Sequence, residues 1–144
     1  MKHIISLVIA LSFLSVAEAR DTKHNYRYEE AMATDHAKKK IDSSIQFFFG
    51  SKTKTPAIEK NFGEFQSNKK TNAFNKTDKK ACYWAFLSAM LSFQKTAKKL
   101  GGNAVVNIRS YYRRNLLDGP EIFECGAGGA IAGVTFKGDV VKLK

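Results

Sequence analysis

Two thiols, Cys82 and Cys125, carry the sharpest chemistry in this 144-residue chain. A cysteine pair can bridge, ligate a metal or cycle redox equivalents. The last two uses favour C-x-x-C spacing or clustered histidines, and neither is present. A second group is basic and aromatic: Arg109, Tyr111, Tyr112, Arg113 and Arg114 fall within six positions. Guanidinium groups beside aromatic faces suit phosphate contact and stacking, so this run is a candidate anion-binding site. The same residues also suit a strand end whose tyrosines cover a sheet edge. Lys95, Lys98 and Lys99 lie just upstream, and no acidic residue occurs between Asp78 and Asp118. With a formal net charge of +11, such an interval would attract lipopolysaccharide, anionic lipid headgroups or nucleic acid, with an affinity that falls as salt rises. A solvated basic face is the plainer reading of the same charges.

Other chemistries are poorly supplied. GAGGAIAG, from Gly126 to Gly133, lacks the third glycine of the dinucleotide fingerprint, because Ile131 stands there. Gly133 and Gly138 have the spacing of P-loop glycines, but Asp139 occupies the place of the phosphate-binding lysine. Nucleotide binding is therefore not expected. Beyond residue 19 the only histidines are His24 and His36, set among lysines and without a recognisable serine or metal motif near them. No catalytic residue, metal site or cofactor is implied, and the chain reads as a non-enzymatic binding protein.

The N-terminal residues set the compartment. Lys2 and His3 precede an apolar run from Ile4 to Leu14, and Ala17-Glu18-Ala19 has the small-residue pattern of a secretory cleavage site. Residues 1–19 are thus expected to be a cleaved signal peptide, leaving a periplasmic or secreted protein that does not span the membrane. In an oxidising compartment two cysteines persist as a disulfide. A Cys82–Cys125 bridge would close a loop of about 44 residues, worth about 4 kcal/mol in the chain-entropy model.

Residues 20–144 suit one small domain. Its organiser is the stretch from Lys79 to Tyr112. Cys82, Phe86, Ala89, Phe93, Ala97 and Leu100 recur at three- and four-residue steps, predicting a helix over 79–100 that Thr77 or Asp78 caps and Gly101-Gly102 stops. Trp84, Leu87 and Leu91 add a second apolar line, to be covered by the loop expected over residues 51–77 or by a second copy in a homo-oligomer. Strands are expected across 103–143: one from Asn103 to Arg114 with Ala104, Val106 and Ile108 on its buried face, one at Glu121 to Cys125, and a long last one from Gly126. Gly138 marks a kink, a bulge or a hairpin turn in the last of these. Upstream, Asn25 to Met32 reads as a short strand or arm, Ala37 to Ile41 as a short helix, and Ser43 to Gly50 as a strand. Residues 51–77 lose all periodicity and read as a long loop, tucked onto the core by Phe62, Phe65 and Phe74, with a short helix near Ala57 to Asn61. The fold class is α+β, an antiparallel or mixed sheet packed on one long helix.

Ala97-Lys98-Lys99-Leu100-Gly101-Gly102-Asn103-Ala104-Val105-Val106 resembles the helix-to-strand signature of the YbjQ-like family, which the sensor lipoprotein of the Rcs envelope-stress pathway also carries. Asn103 to Ile108, Ser110 to Tyr112, Glu124 to Gly126 and Lys137 to Leu143 resemble segments of small exported bacterial proteins often labelled excinuclease ATPase subunit. Export and the basic charge are what make an envelope protein or an anionic surface the expected partner. The resemblance implies an α+β domain with its sheet on the long helix, and does not carry over the Rcs sensor's partners. It implies no ATPase, since the P-loop is missing. It brings no lipid anchor either, since no cysteine lies near the cleavage site.

Overall fold

The computed structural model describes residues 20–144; the signal peptide assigned to residues 1–19 lies outside the described residues. The chain forms one α+β domain, in which a six-stranded mixed sheet packs on a single long helix. In order, the elements are β1 (Thr22–Arg27), α1 (Tyr28–Met32), α2 (Asp35–Lys40), β2 (Gln46–Phe49), β3 (Ile58–Asn72), α3 (Asp78–Leu100), β4 (Ala104–Ser110), β5 (Ile122–Ala127) and β6 (Ile131–Leu143). Among the described residues no helix is long and apolar enough to cross a membrane.

Helix α3 starts and stops where its sequence dictates. The Thr77 side chain accepts a hydrogen bond from the Lys80 N–H. At the other end Gly101 takes the left-handed conformation (φ 82°), and the Gly102 and Gly101 N–H groups return to the carbonyls of Ala97 and Lys98. The chain thus turns directly into β4. Buried Cys82, Phe86, Ala89, Phe93 and Ala97 form the stripe that faces the sheet, while Leu100, at the helix end, is exposed.

Strand β6 is the spine of the sheet. β3 pairs with it antiparallel from Ile58↔Leu143 to Asn72↔Ile131. Its other edge is shared: β4 takes the half from Phe136 to Val141, and β5 meets it only at Gly126↔Gly133 and Ala127↔Ala132. β1 extends β5 antiparallel, and β2 extends β4 in parallel. The core between sheet and helix holds an aromatic cluster of Tyr28, Phe49, Phe86, Phe123 and Phe136.

Three expectations are corrected. Residues 51–77 are not a long loop: most of them form β3, a strand of 15 residues, and the short helix near Ala57 to Asn61 is absent. Only Ser67 of β3 is fully buried, its hydroxyl donating to the Ala89 carbonyl of α3. The strand exists because β6 offers it a full hydrogen-bonding edge, not because its own side chains alternate. Phe62 and Phe65 do pack on the core, but Phe74 is 70% exposed.

The second correction concerns β4. Two residues, Asn107 and Ile108, stand opposite the single Gly138, so β4 contains a bulge, with Asn107 left-handed at φ 55°. The bulge switches the inward positions from Val105 to Ile108, and Ala104 and Val106 instead join Val141, Leu143 and Phe48 in a small apolar cluster apart from the main core. Gly138 is required beneath it, because a Cβ there would lie 2.9 Å from Val105 Cγ1. β6 runs straight through Gly138, so Lys137-Gly138-Asp139 is not a hairpin turn.

Third, the cover over Trp84 and Leu87 is the helical N-terminal segment and not residues 51–77. The His36 ring of α2 lies 4.1 Å from that of Trp84, the Lys40 ammonium sits 5.4 Å from the indole, and Leu87 is 2% exposed.

At the start of α3, Asp78 accepts two hydrogen bonds from Arg20, at 2.8 and 3.0 Å, and lies 2.8 Å from His24 Nε2. Arg20 first and His24 next hold its carboxyl well below the usual carboxylate range. A lowered folded-state pKa stabilises the fold above the ordinary carboxylate pKa of about 4, and that stabilisation is lost as pH falls below it. Asp78→Asn should therefore loosen the N-terminal arm at neutral pH as acid does in the parent chain. The expected readout is severalfold faster tryptic cleavage after Lys23 and Arg27, with the rest of the domain protected.

Candidate anion-binding cleft

The basic tyrosine-rich run leaves the sheet where β4 ends. Ser110 is buried and pairs with Leu117 in both directions, closing residues 111–116 into a loop. Its hydroxyl accepts from the Glu124 N–H. The strand expected to run to Arg114 stops here, because the chain folds into a short 3-10 turn over Tyr112–Arg114. Arg113 and Arg114 both adopt left-handed backbone, at φ 49° and 62°, a conformation costing about 1–2 kcal/mol for each L-residue.

Several contacts hold that turn. The Tyr112 hydroxyl donates to Asp21 at 3.0 Å, and Arg113 Nη2 pairs with the same carboxylate at 2.5 Å. Asn115 donates from its backbone to the Tyr112 carbonyl and from its side chain to Glu124. Gly126 makes room for this arrangement, since a Cβ there would collide with the Tyr112 hydroxyl and the Asp21 carboxylate. Burial pushes the Tyr112 phenol up, and the Arg113 pKa is raised by Tyr112 and Asp21.

The result is a polar cleft of about 580 Å³, on the sheet face opposite α3. Tyr111, Arg113 and Arg114 of the turn meet Lys137 of β6 and Gln66 of β3 there. The Lys137 ammonium lies 3.9 Å from the centre of the Tyr111 ring. Among the described residues Arg114 and Lys137 form no ion pair, and Arg113 shares Asp21 with the Tyr112 hydroxyl. The cleft therefore holds three cations and one flanking carboxylate.

Of the residues singled out from sequence, Tyr111, Arg113 and Arg114 line this cleft, and Tyr112 anchors its turn. Arg109 is adjacent but committed, its guanidinium pairing with Glu64 at 2.6 Å and only 17% of its side chain exposed. Lys95, Lys98 and Lys99 are not part of it. They occupy the last turns of α3 in the helical layer, near the start of β4 and not its end, and Lys98 pairs with Asp42 at 2.6 Å. Sequence reasoning missed Lys137, Gln66 and Asp21. Lys137 follows Arg114 by 23 positions and reaches it only through the β4–β6 ladder, and Gln66 belongs to the strand read as a loop.

Cys82 of α3 and Cys125 of β5 are joined in a disulfide, and both are fully buried. Among the described residues no three His, Cys, Asp or Glu side chains converge as a cation site. Comparison with protein-family models, curated proteins and solved structures gave no match.

Proposed function

We propose that this chain is an exported, non-enzymatic binding domain of the bacterial envelope that engages a polyanion through the cleft of Tyr111, Arg113, Arg114 and Lys137. The observation that carries this reading is a pair of cations, Arg114 and Lys137, that have no carboxylate partner among the described residues and are held beside Arg113 by a turn with two left-handed arginines. Such backbone persists only where the surroundings over-determine it, and it collects at functional sites. The disulfide supports export, because such bridges persist in oxidising compartments. The helix, glycine cap and strand formed by Ala97 to Val106 support grouping the chain with the YbjQ-like and Rcs-sensor-like proteins.

Retention on immobilised heparin, as a generic sulfated polyanion, tests the reading. Binding should weaken steeply as salt rises, because counterions return to the polymer when cations leave it. Lipopolysaccharide aggregates should compete for the protein. Absent or salt-insensitive retention would refute the proposal.

A further inference from the structure

In the helical layer, away from the cleft, α2 and the first half of α3 enclose a second hollow of about 260 Å³. Its walls are mainly apolar. Tyr83 and the half-buried Trp84 line it, His36 closes one side, and almost fully buried Leu87 forms the floor. Exposed Lys79 and Lys80, in the first turn of α3, stand at its lip. The positive end of the helix dipole adds to their charge.

The charge around this hollow has one sign in excess. Among the described residues the one carboxylate hydrogen-bonded or ion-paired to a lining side chain is Glu30, which accepts from the Tyr83 hydroxyl at 3.0 Å and lies 3.9 Å from Lys79 Nζ. Lys40, over the indole, and Lys80 form no ion pair among the described residues. An apolar hollow walled by aromatic rings, with Lys79 and Lys80 at its lip and only Lys79 near a carboxylate, is complementary to a flat hydrophobic body bearing a negative charge. A closed cavity of about 150 Å³ accepts benzene, so this one has room for a single ring and a short acidic arm.

We propose that this hollow is a binding site for a small aromatic carboxylate, whose ring packs on Trp84 and Leu87 while its carboxylate meets Lys79 and Lys80. The site is independent of the polyanion cleft. Trp84 is the sole tryptophan of the chain, so its fluorescence reports this site alone.

The test uses the oxidised protein and three probes of one shape: phenylacetate, the neutral phenylacetamide and the cationic phenethylamine. Phenylacetate should change Trp84 emission saturably. The amide should bind about fivefold more weakly, the value of one ionic contact near water, and the amine should give no saturable change over the same range. Lys79 and Lys80 are exposed, so K79Q/K80Q should keep the parent melting curve and lower phenylacetate affinity to that of the amide. R113Q/R114Q/K137Q should bind phenylacetate as the parent does, which separates this site from the cleft. No saturable change with any probe, equal affinity for acid and amide, or a response to the amine equal to that for the acid would overturn the proposal.

Discussion

Replacing Cys82 and Cys125 together by alanine is expected to cost about 4 kcal/mol of stability, a large share of the 5–15 kcal/mol typical of a small domain. The bridge spans a sequence separation of 43, and its absence returns that loop's freedom to the unfolded chain. For a domain of this size the melting temperature should fall by about 15 °C. The location sharpens the expectation. β5 meets β6 through only two residue pairs, so the ribbon of β1 and β5 is held against α3 by the disulfide together with Phe123 on Phe86 and the contacts of Arg20 and His24 with Asp78. Hydrogen exchange should therefore accelerate first in Thr22–Arg27 and Ile122–Ala127, while β3, β6 and β4 keep their protection. An unchanged melting temperature on loss of the bridge would contradict this.

Phe86→Ala should be of similar size, about 3–5 kcal/mol. Phe86 is fully buried and lies at the centre of the aromatic cluster, 5.0 Å from Phe123, 5.7 Å from Phe136 and 6.1 Å from both Tyr28 and Phe49. Truncation loses the ring's burial, leaves a cavity the rigid sheet cannot close, and removes several ring pairs at once. Phe86→Leu keeps most of the volume and should cost about 1.5 kcal/mol. Phe74→Ala, at a ring 70% exposed, should stay within about 0.5 kcal/mol. Urea denaturation of the three variants measures the order directly; equal losses at positions 86 and 74 would contradict the assigned core. Cys82 and Phe86 share one face of α3 and both meet β5, so their effects should not simply add.

These two residues also show what could be read from the chain alone. The α3 face carrying Cys82 and Phe86, its Thr77 cap and its glycine stop are local signals, written within a few residues of one another. β3 is the opposite case. Its lysines, asparagines and serine give no alternation, and only the long edge of β6, some 60 residues further on, makes it a strand. The bulge at Asn107 is likewise fixed by a partner, Gly138, so the period-two pattern of β4 misassigned Ala104 and Val106. The cleft was half visible for the same reason: Tyr111, Arg113 and Arg114 are contiguous, whereas Lys137 and Asp21 arrive through strand pairing and the N-terminal arm.

The claim that a formed site, and not net charge, binds the polyanion is tested most directly by two variants that each remove three positive charges. R113Q/R114Q/K137Q changes the cleft, and K95Q/K98Q/K99Q changes the end of α3 in the helical layer. The measurement is heparin affinity across a salt series for both and for the parent. The cleft variant should lose most of its affinity, and its slope of log K against log salt should flatten by about two to three, while the helix variant stays close to the parent. Equal losses in the two variants would contradict the account and assign the binding to overall charge.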